Sequence, residues 1–427
     1  MKKNIIKSIK GFKDILPDEI KYYRFFESTI GKVSSQFAAE ELRLPLIEKS
    51  ELFHRSIGDG TDIVNKEMYD FIDKSGESIC LRPEGTASVV RAAIEHNLIY
   101  DRGLKKQKYW YYGPMFRHEK PQKGRYRQFS QFGAEYFGFS DTNSDIELLM
   151  MGNFLLKELN IKNAKLHINS LGNMEDKKKY EKIIFDHLSV HKDNLDGYQK
   201  GTLAKNPLRL LDSKNDNVKE ILLNVPTLYE TLSVTSKNRF DMLMSKLDSL
   251  KINYILDNTI VRGLDYYNDT VFEWRHESLG SQNAICAGGR YDNLVNTIGG
   301  NAVPAIGFAM GVERIIEILK SEDNFKIEKA ISIGIINVSS ENEVYSHLIS
   351  KDLRSEFSDI NFYNTDSSAS LTSQLKHAVK INDKFVIIVT DDNIKNKNIT
   401  IKASENQMTD MLVNLEDLIK YMRNKYE

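Results

Sequence analysis

Residues Phe116–Phe129 read FRHEKPQKGRYRQF. Five Lys and Arg side chains, one histidine and one carboxylate lie between two aromatics, in a chain whose formal net charge is -1. The flanking stretches, Lys108–Tyr112 and Gln131–Phe139, are rich in aromatic and β-prone residues, so this is the long loop of a hairpin. A structural turn does not need so many cations, and long ordered loops are commonly functional. Guanidinium groups recognise phosphate bidentately, and a cluster of them suits a polyphosphate. Phe129 can stack on a nucleobase with an arginine on its other face, and Glu119 can accept a hydrogen bond from an exocyclic amine. Taken alone, such a charge run is more often a solvated loop. No GxxxxGK[ST] occurs in the chain, so a triphosphate site here is not a P-loop.

Outward from this loop, 427 residues exceed one ordinary core and imply two or three domains. A hydrophobic fraction of 41% supports packed globular structure. No apolar run approaches a bilayer span, and MKKNIIKSIKGFKD has no continuous apolar core, so neither a membrane segment nor a secretory leader is expected. Cys80 and Cys286 are the only cysteines. They stand far apart with no ligand spacing, which argues against a disulfide framework or a zinc site and fits the reducing cytoplasm. With so little net charge, any polyanion must meet local basic patches.

Three blocks emerge along the chain. Residues 1–172 mix strands and helices, with Pro17–Phe37 at helical apolar spacing and Pro17-Asp18 suited to a first turn. Residues 173–255 are rich in Lys, Asp, Asn and Leu with helical periodicity, as in KYEKIIFDHL, and read as a helical insertion. Residues 256–322 return to strands and glycines. From about 326, strands such as ISIGIINV and KFVIIVT alternate with helices such as ENEVYSHLISKDLR, as in a compact α/β domain with a largely parallel sheet.

Four more stretches carry chemistry: RPEGTA (Arg82–Ala87), RGLDYYNDTVFEW (Arg262–Trp274), AGGRYDNL (Ala287–Leu294) and GFAMGVERI (Gly307–Ile315). Their glycines allow close approach of backbone or ligand. Each alone is weak, since a tyrosine pair in a strand is usually packing and a glycine pair is usually a turn. In this order they are specific. The chain resembles the histidyl-tRNA synthetase family of class II aminoacyl-tRNA synthetases over essentially its whole length. ELRLPLIEKSELFHRSIGDGTDIVNKEMYDFID resembles motif 1, with Pro45 as its proline. YYGPMFRHEKPQKGRYRQFSQFGAE resembles motif 2, and PAIGFAMGVERI resembles motif 3, with Arg314 as its arginine. RGLDYY and AGGRYD resemble the family's two histidine-specific signatures. Asp269 departs from the pattern, standing at a peripheral position where the family often has a basic residue.

The resemblance implies an α+β fold: a class II antiparallel sheet flanked by helices in residues 1–325, interrupted by the helical insertion 173–255, and an α/β anticodon-binding domain in residues 326–427. It implies that L-histidine is activated with ATP, accompanied by Mg²⁺ and without an organic cofactor or a dedicated protein metal site. The histidyl group then passes to tRNA(His), in a cytoplasmic homodimer. Arg117 and Arg262 would be the catalytic cations. Glu84, Gly85, Thr86, Arg117, Gln131, Glu135, Arg262, Tyr266 and Tyr267 would bind histidine, and Arg117, Glu119, Arg125, Phe129 and Arg314 would bind ATP. His118 would be structural or a phosphate contact, and the base for the transfer step is unassigned. Lys177-Lys178-Lys179 in the insertion could touch tRNA phosphate, against the simpler reading of a solvated helix face. Tyr363, Asn364 and the residues near Ser370–Gln374 are candidate anticodon readers.

The chemistry agrees with those roles. Two anions must meet when a carboxylate attacks the α-phosphorus, so fixed cations are the main device required. Imidazole offers a donor and an acceptor, and a hydrogen-bonding pocket rejects analogues by roughly 10⁴–10⁵, so an editing domain is not expected. Two rivals compete. One is a catalytically silent paralogue serving as regulatory subunit of an ATP phosphoribosyltransferase, which would lose pocket residues and the terminal block. The other is a class II synthetase for another amino acid, which would lack RGLDYY and AGGRYD.

Overall fold

The computed structural model describes residues 5–58, 61–100, 106–122, 124–213, 215–261, 263–280, 283–321, 331–381, 385–403 and 411–426. The chain divides into two compact units, Met1–Phe325 and Lys326–Glu427.

The first unit carries strands β1 (Glu40–Glu41), β2 (Ile47–Lys49), β3 (Tyr69–Ile72), β4 (Ser78–Leu81), β5 (Gln107–Phe116), β6 (Gln128–Phe137), β7 (Lys165–Ser170), β8 (Tyr254–Leu256), β9 (Asn268–Arg275), β10 (Ala284–Arg290) and β11 (Ala305–Gly311). Eight of them form one sheet in the order β1-β5-β6-β11-β10-β9-β7-β8. Its interior pairs are antiparallel, and only the outermost pairs, β1 with β5 and β7 with β8, run parallel. Strands β2, β4 and β3 make a small antiparallel sheet beside it.

Alternation along β6 sorts the sheet's two faces. Phe132, Ala134 and Tyr136 point to a core shared with the helix Pro17–Gln36 (Phe26, Ile30, Val33), the helix Thr142–Glu158 (Leu148, Leu149, Leu155) and the helix Val312–Ser321 (Ile315, Ile316). Gln131, Gly133 and Glu135 point the other way, toward Tyr111 and the helix Thr86–Glu95.

The hairpin of β5 and β6 is longer than its sequence suggests. Strand pairing runs to Phe116↔Gln128, so the connecting loop shrinks to 117–127. Gly113 and Pro114 lie inside β5, where they read as strand breakers. Pro114 is tolerated because β1 reaches only Tyr109 and Trp110, leaving β5 an edge strand at Pro114.

Between β7 and β8 run the helices Met174–Val190, Gly197–Lys205, Asp216–Leu222, Leu228–Thr231 and Val234–Ser249. They are not a detached body. Phe240, Leu243 and Leu247 join the core of Phe132, Phe272 and Trp274, while Tyr180, Ile184 and Leu188 join Tyr109, Tyr111 and Val271 on the opposite face. Lys177 does not fit the expectation of a phosphate-contacting lysine run, whose other members, Lys178 and Lys179, are exposed. It is 9% exposed, and its ammonium donates to the carbonyls of Asp265 (2.9 Å) and Tyr267 (3.3 Å). Lys179 donates to the carbonyl of Thr231.

The second unit has strands β12 (Ile331–Asn337), β13 (Ile360–Asn364), β14 (Phe385–Val389), β15 (Ile399–Ala403) and β16 (Met411–Val413), ordered β13-β12-β14-β15-β16. The first three are parallel and the last two antiparallel, so half of the sheet departs from the largely parallel reading. The reason is local. The connection from β14 to β15 holds only the short helix Asp391–Asn396, too little chain for a parallel return. Gln374 is also corrected as a candidate reader. It is 3% exposed, and its amide donates to the carbonyls of Asn337 and Ala369, both at 2.8 Å.

Candidate active site

The cleft of the first unit lies on the Gln131 face of the sheet. It is lined by Glu84, Thr86, Arg117, Glu119, Arg125, Phe129, Gln131, Tyr266, Tyr267 and Arg314, together with Tyr126, Leu264, Cys286 and Glu313. Most of the residues singled out from sequence therefore converge. Gly85 and Glu135 lie just behind the lining. Arg262 lies outside the described residues.

Glu84 closes the turn between β4 and the helix Thr86–Glu95. Its carboxylate accepts the amides of Thr86 (2.7 Å) and Ala87 (2.9 Å), which have no intrahelical partner at a helix start. Gly85 is glycine for a packing reason: a Cβ there would fall 2.2 Å from the Tyr111 ring. The same ring would sit 2.3 Å from a Cβ at Gly133. Tyr111 fills the space both glycines leave.

Glu135 is fully buried on β6. One oxygen accepts the Thr86 hydroxyl at 2.7 Å, and the other accepts the Tyr291 hydroxyl. It pairs across the sheet with Gly307, where a Cβ would fall 1.6 Å from the carboxylate. Glycine at 307 is what admits a carboxylate in this sheet. Desolvation pushes the Glu135 carboxyl up to about 8, against the pull of its two hydroxyl donors. Glu84 is raised as well, chiefly by burial. Tyr266, Tyr267 and Tyr291 form an aromatic box around this end, with ring centroids 4.5 Å apart for the first pair and 5.6 Å for Tyr266 and Tyr291. The Gln131 side-chain oxygen and the Tyr266 hydroxyl are buried without hydrogen-bond partners. Buried polar atoms are costly when left unsatisfied, so a polar ligand belongs there.

The other end of the cleft is cationic. Arg117 donates to the carbonyl of Pro83 at 2.8 Å, which fixes its stem. Its guanidinium lies 5.4 Å over the Phe129 ring and 3.8 Å from Glu119. Glu119 also pairs with Arg125. Arg314, at the start of the helix Val312–Ser321, donates to the carbonyl of Ala284 and packs near Gly124, whose φ of +67° takes the motif 2 loop through a left-handed turn. Burial, and then repulsion from Arg314 and Arg117, hold Arg125 below the usual arginine range. Arg314 is lowered by burial and by Arg117. Two guanidinium groups thus share the Glu119 carboxylate, and the third, Arg314, stands close enough to repel both, an arrangement that a polyanion completes. His118 takes no place in the cleft: its amide donates to Glu67, and its exposed ring meets Tyr69 edge-on.

Sequence reasoning missed Tyr111, Tyr291 and Glu313. Tyr291 stands inside the quoted AGGRYD, and Glu313 precedes Arg314 in GVER, so both were in view without a role. Glu313 accepts the Ser130 amide at 2.9 Å on both oxygens, and burial pushes its carboxyl up to about 7. Arg290 of AGGRYD is structural. It is fully buried and pairs with the buried Asp145 at 2.6 Å, while also donating to Phe139 and Asp141 carbonyls and to Ser144. Asp269, read as peripheral, is partly buried beside Arg239 (3.9 Å), and burial raises its carboxyl.

An antiparallel sheet carrying an arginine-lined cleft beside a sealed polar pocket is the core of a class II aminoacyl-tRNA synthetase. The profile of the histidyl-tRNA synthetase family matches residues 11–315. The histidine--tRNA ligase of Buchnera aphidicola is 44% identical over 392 residues, 91% of each chain. That of Ruthia magnifica is 41% identical over 418 residues, 98% of each chain. The crystal structure of apo Staphylococcus aureus histidyl-tRNA synthetase superposes with a TM-score of 0.80 at 30% identity, covering 98% of this chain and 99% of that one. The chain belongs to the histidyl-tRNA synthetase family.

Proposed function

We propose that the two ends of this cleft divide the family's reaction between them. The chain activates L-histidine with ATP to histidyl-adenylate and transfers the histidyl group to tRNA(His). The observation that carries the division is the adjacency of an arginine-crowded end, around Phe129, to a buried polar end with unpartnered oxygens at Gln131 and Tyr266.

Histidine sits in the closed end. Glu84, Thr86, Gln131 and Glu135 meet its ammonium and imidazole donors, beside Gly85, and Tyr266 and Tyr267 wall the ring. ATP enters as its magnesium complex, with the metal carried on the phosphates. Phe129 stacks on adenine from one side and Arg314 covers the other. Glu119 accepts from the exocyclic amine, and Arg125 and Arg314 meet phosphate. Arg117 reaches both the histidine carboxylate and the α-phosphate. That carboxylate attacks the α-phosphorus, the bond to the β-phosphate oxygen breaks, and pyrophosphate leaves. Arg117 and Arg262 stabilise the charge that builds on the equatorial oxygens, and a guanidinium holds its charge throughout. A ribose hydroxyl at the tRNA 3′ end then attacks the activated carbonyl, and AMP leaves.

Residues 326–427 bind the anticodon, with Tyr363 and Asn364 at the end of β13 as candidate readers. Two chains pair through the motif 1 region around Pro45, where Leu46 and Ile47 are exposed. The cytoplasm is the compartment. Among the described residues no helix is long and apolar enough to cross a membrane.

Retention of Glu84, Arg117, Glu135 and Arg314 around one cleft favours an enzyme over a silent regulatory paralogue. ATP–pyrophosphate exchange tested with single amino acids decides. Exchange with histidine alone is expected. No exchange with any amino acid would establish the silent paralogue, and exchange with a different one would reassign the pocket.

A further inference from the structure

The segment Gly263–Tyr267 walls the histidine end of the cleft but contains neither strand nor helix. Apart from one long backbone bond, from the Asp265 amide to the Ile57 carbonyl at 3.5 Å, its order comes from side chains that reach it from elsewhere. Lys177, on the helix Met174–Val190, places its ammonium between the carbonyls of Asp265 (2.9 Å) and Tyr267 (3.3 Å). The Asp265 carbonyl belongs to the peptide that leads into Tyr266 and the Tyr267 carbonyl to the peptide that leaves Tyr267, so one buried cation pins the backbone on both sides of the tyrosine pair. Burial lowers the Lys177 pKa, the cost of keeping an ammonium there.

The second anchor is the Asp265 carboxylate. One oxygen accepts from the Asn206 amide at 2.7 Å and from Arg209 at 3.3 Å. The same Arg209 nitrogen donates to the Gly263 carbonyl at 2.7 Å. The other Asp265 oxygen occupies the space beside Gly58, where a Cβ would fall 2.9 Å away. Lys177, Asn206 and Arg209 all belong to the helical excursion between β7 and β8.

We infer that Lys177, Asn206 and Arg209 are positioning residues for the histidine pocket, so that the helical excursion braces the Tyr266 wall and sets histidine affinity before any tRNA is bound. The excursion is then part of the amino-acid site. A macromolecule that shifts the Met174–Val190 helix shifts the pocket through the same three side chains. This inference rests on the assignment of Tyr266 and Tyr267 to the histidine pocket.

The test is ATP–pyrophosphate exchange by the full chain without tRNA. Asn206→Ala and Arg209→Ala change partly exposed side chains, and Lys177→Met removes the buried cation. The KM for histidine is expected to rise about tenfold in each, the loss of one hydrogen bond to a charged group. The KM for ATP should stay within about twofold, because the cationic end keeps its own anchors at Pro83 and Ala284. Should Lys177→Met fail to fold, the other two variants decide. A merely structural role would raise both KM values together or lower only the unfolding midpoint, and either outcome overturns the inference. Tyr266→Ala separates the two readings. An unchanged KM for histidine in that variant removes the pocket assignment, and the brace with it. A raised KM there, with unchanged values in Asn206→Ala and Arg209→Ala, removes the brace alone.

Discussion

Replacing Glu135 by Gln changes one atom type in a fully buried side chain, and the structure sets the size of the consequence. Desolvation places the Glu135 carboxyl at about 8 in the folded protein, against an ordinary value of 4.5. Between those values the folded chain holds a proton that the unfolded chain has released. Stability rises with pH where the unfolded state binds more protons, so here it must fall. The loss is about 1.4 kcal/mol per pH unit across that window, on the order of 5 kcal/mol in all. The contribution is fully present below the unfolded value and gone above the folded one. Glutamine cannot titrate, and its NH2 can donate to one of the two hydroxyls, Thr86 or Tyr291, while its oxygen accepts from the other. Glu313 titrates in both proteins, so its slope cancels in the difference. Urea unfolding at several pH values between 5 and 8.5 measures it. Trp110 and Trp274 are the chain's only tryptophans and lie in or beside the sheet core of the first unit, so their fluorescence reports on the right unit. The variant should gain on the parent by about 1.4 kcal/mol with each unit of rising pH. Parallel curves would show that Glu135 is ionised throughout, and the desolvation argument would fail. In the parent, binding of a cationic amine should pull Glu135 back toward ionisation, so histidine binding should release a proton near neutrality, measurable as buffer-dependent heat.

Arg262→Ala should lower histidine-dependent exchange by roughly 10²–10³ with the far-ultraviolet spectrum unchanged; near-normal exchange would take Arg262 out of the mechanism. Asp145→Ala leaves the fully buried Arg290 with only the partly exposed Asp292 as a carboxylate partner, so stability should drop by about 3 kcal/mol, and a shift in the urea midpoint worth under about 1 kcal/mol would show that the pair is dispensable. A chain ending at Ser321 keeps every lining residue of the cleft. It should therefore retain exchange while its KM for tRNA rises, and an unchanged KM would overturn the anticodon reading of residues 326–427. Light scattering at micromolar concentration should give the mass of two chains; a fully active monomer would contradict pairing through the Pro45 region.

Local chemistry was legible because it is written at short range. The alternation of Gln131, Gly133 and Glu135 with Phe132, Ala134 and Tyr136 needs only the two-residue period of a strand. The cation cluster needs only proximity in the chain. The adenylating core and its family were likewise visible in contiguous motifs. Gln374 misled for the opposite reason. A polar residue at the start of a helix looks available, and only the arrival of Asn337 from β12 shows that its amide is already committed. The strand limits at Phe116 and Gln128 were missed because Gly113 and Pro114 signal breakage, a signal overridden where β5 runs on beyond β1 as a sheet edge.

What the sequence determined by itself was the chemistry available: guanidinium groups for phosphate, carboxylates and tyrosines for a small polar ligand, and the order of the motifs. What only the tertiary structure decided was which charges become buried and against whom. Asp145 and Arg290 meet across 145 residues of chain, and Lys177 meets Tyr267 across 90. Before folding, Asp145, Arg290 and Lys177 are ordinary solvated charges. Desolvation gives Glu135 its raised pKa and Lys177 its lowered one, and desolvation depends on neighbours from distant strands and helices. No local window of sequence contains them.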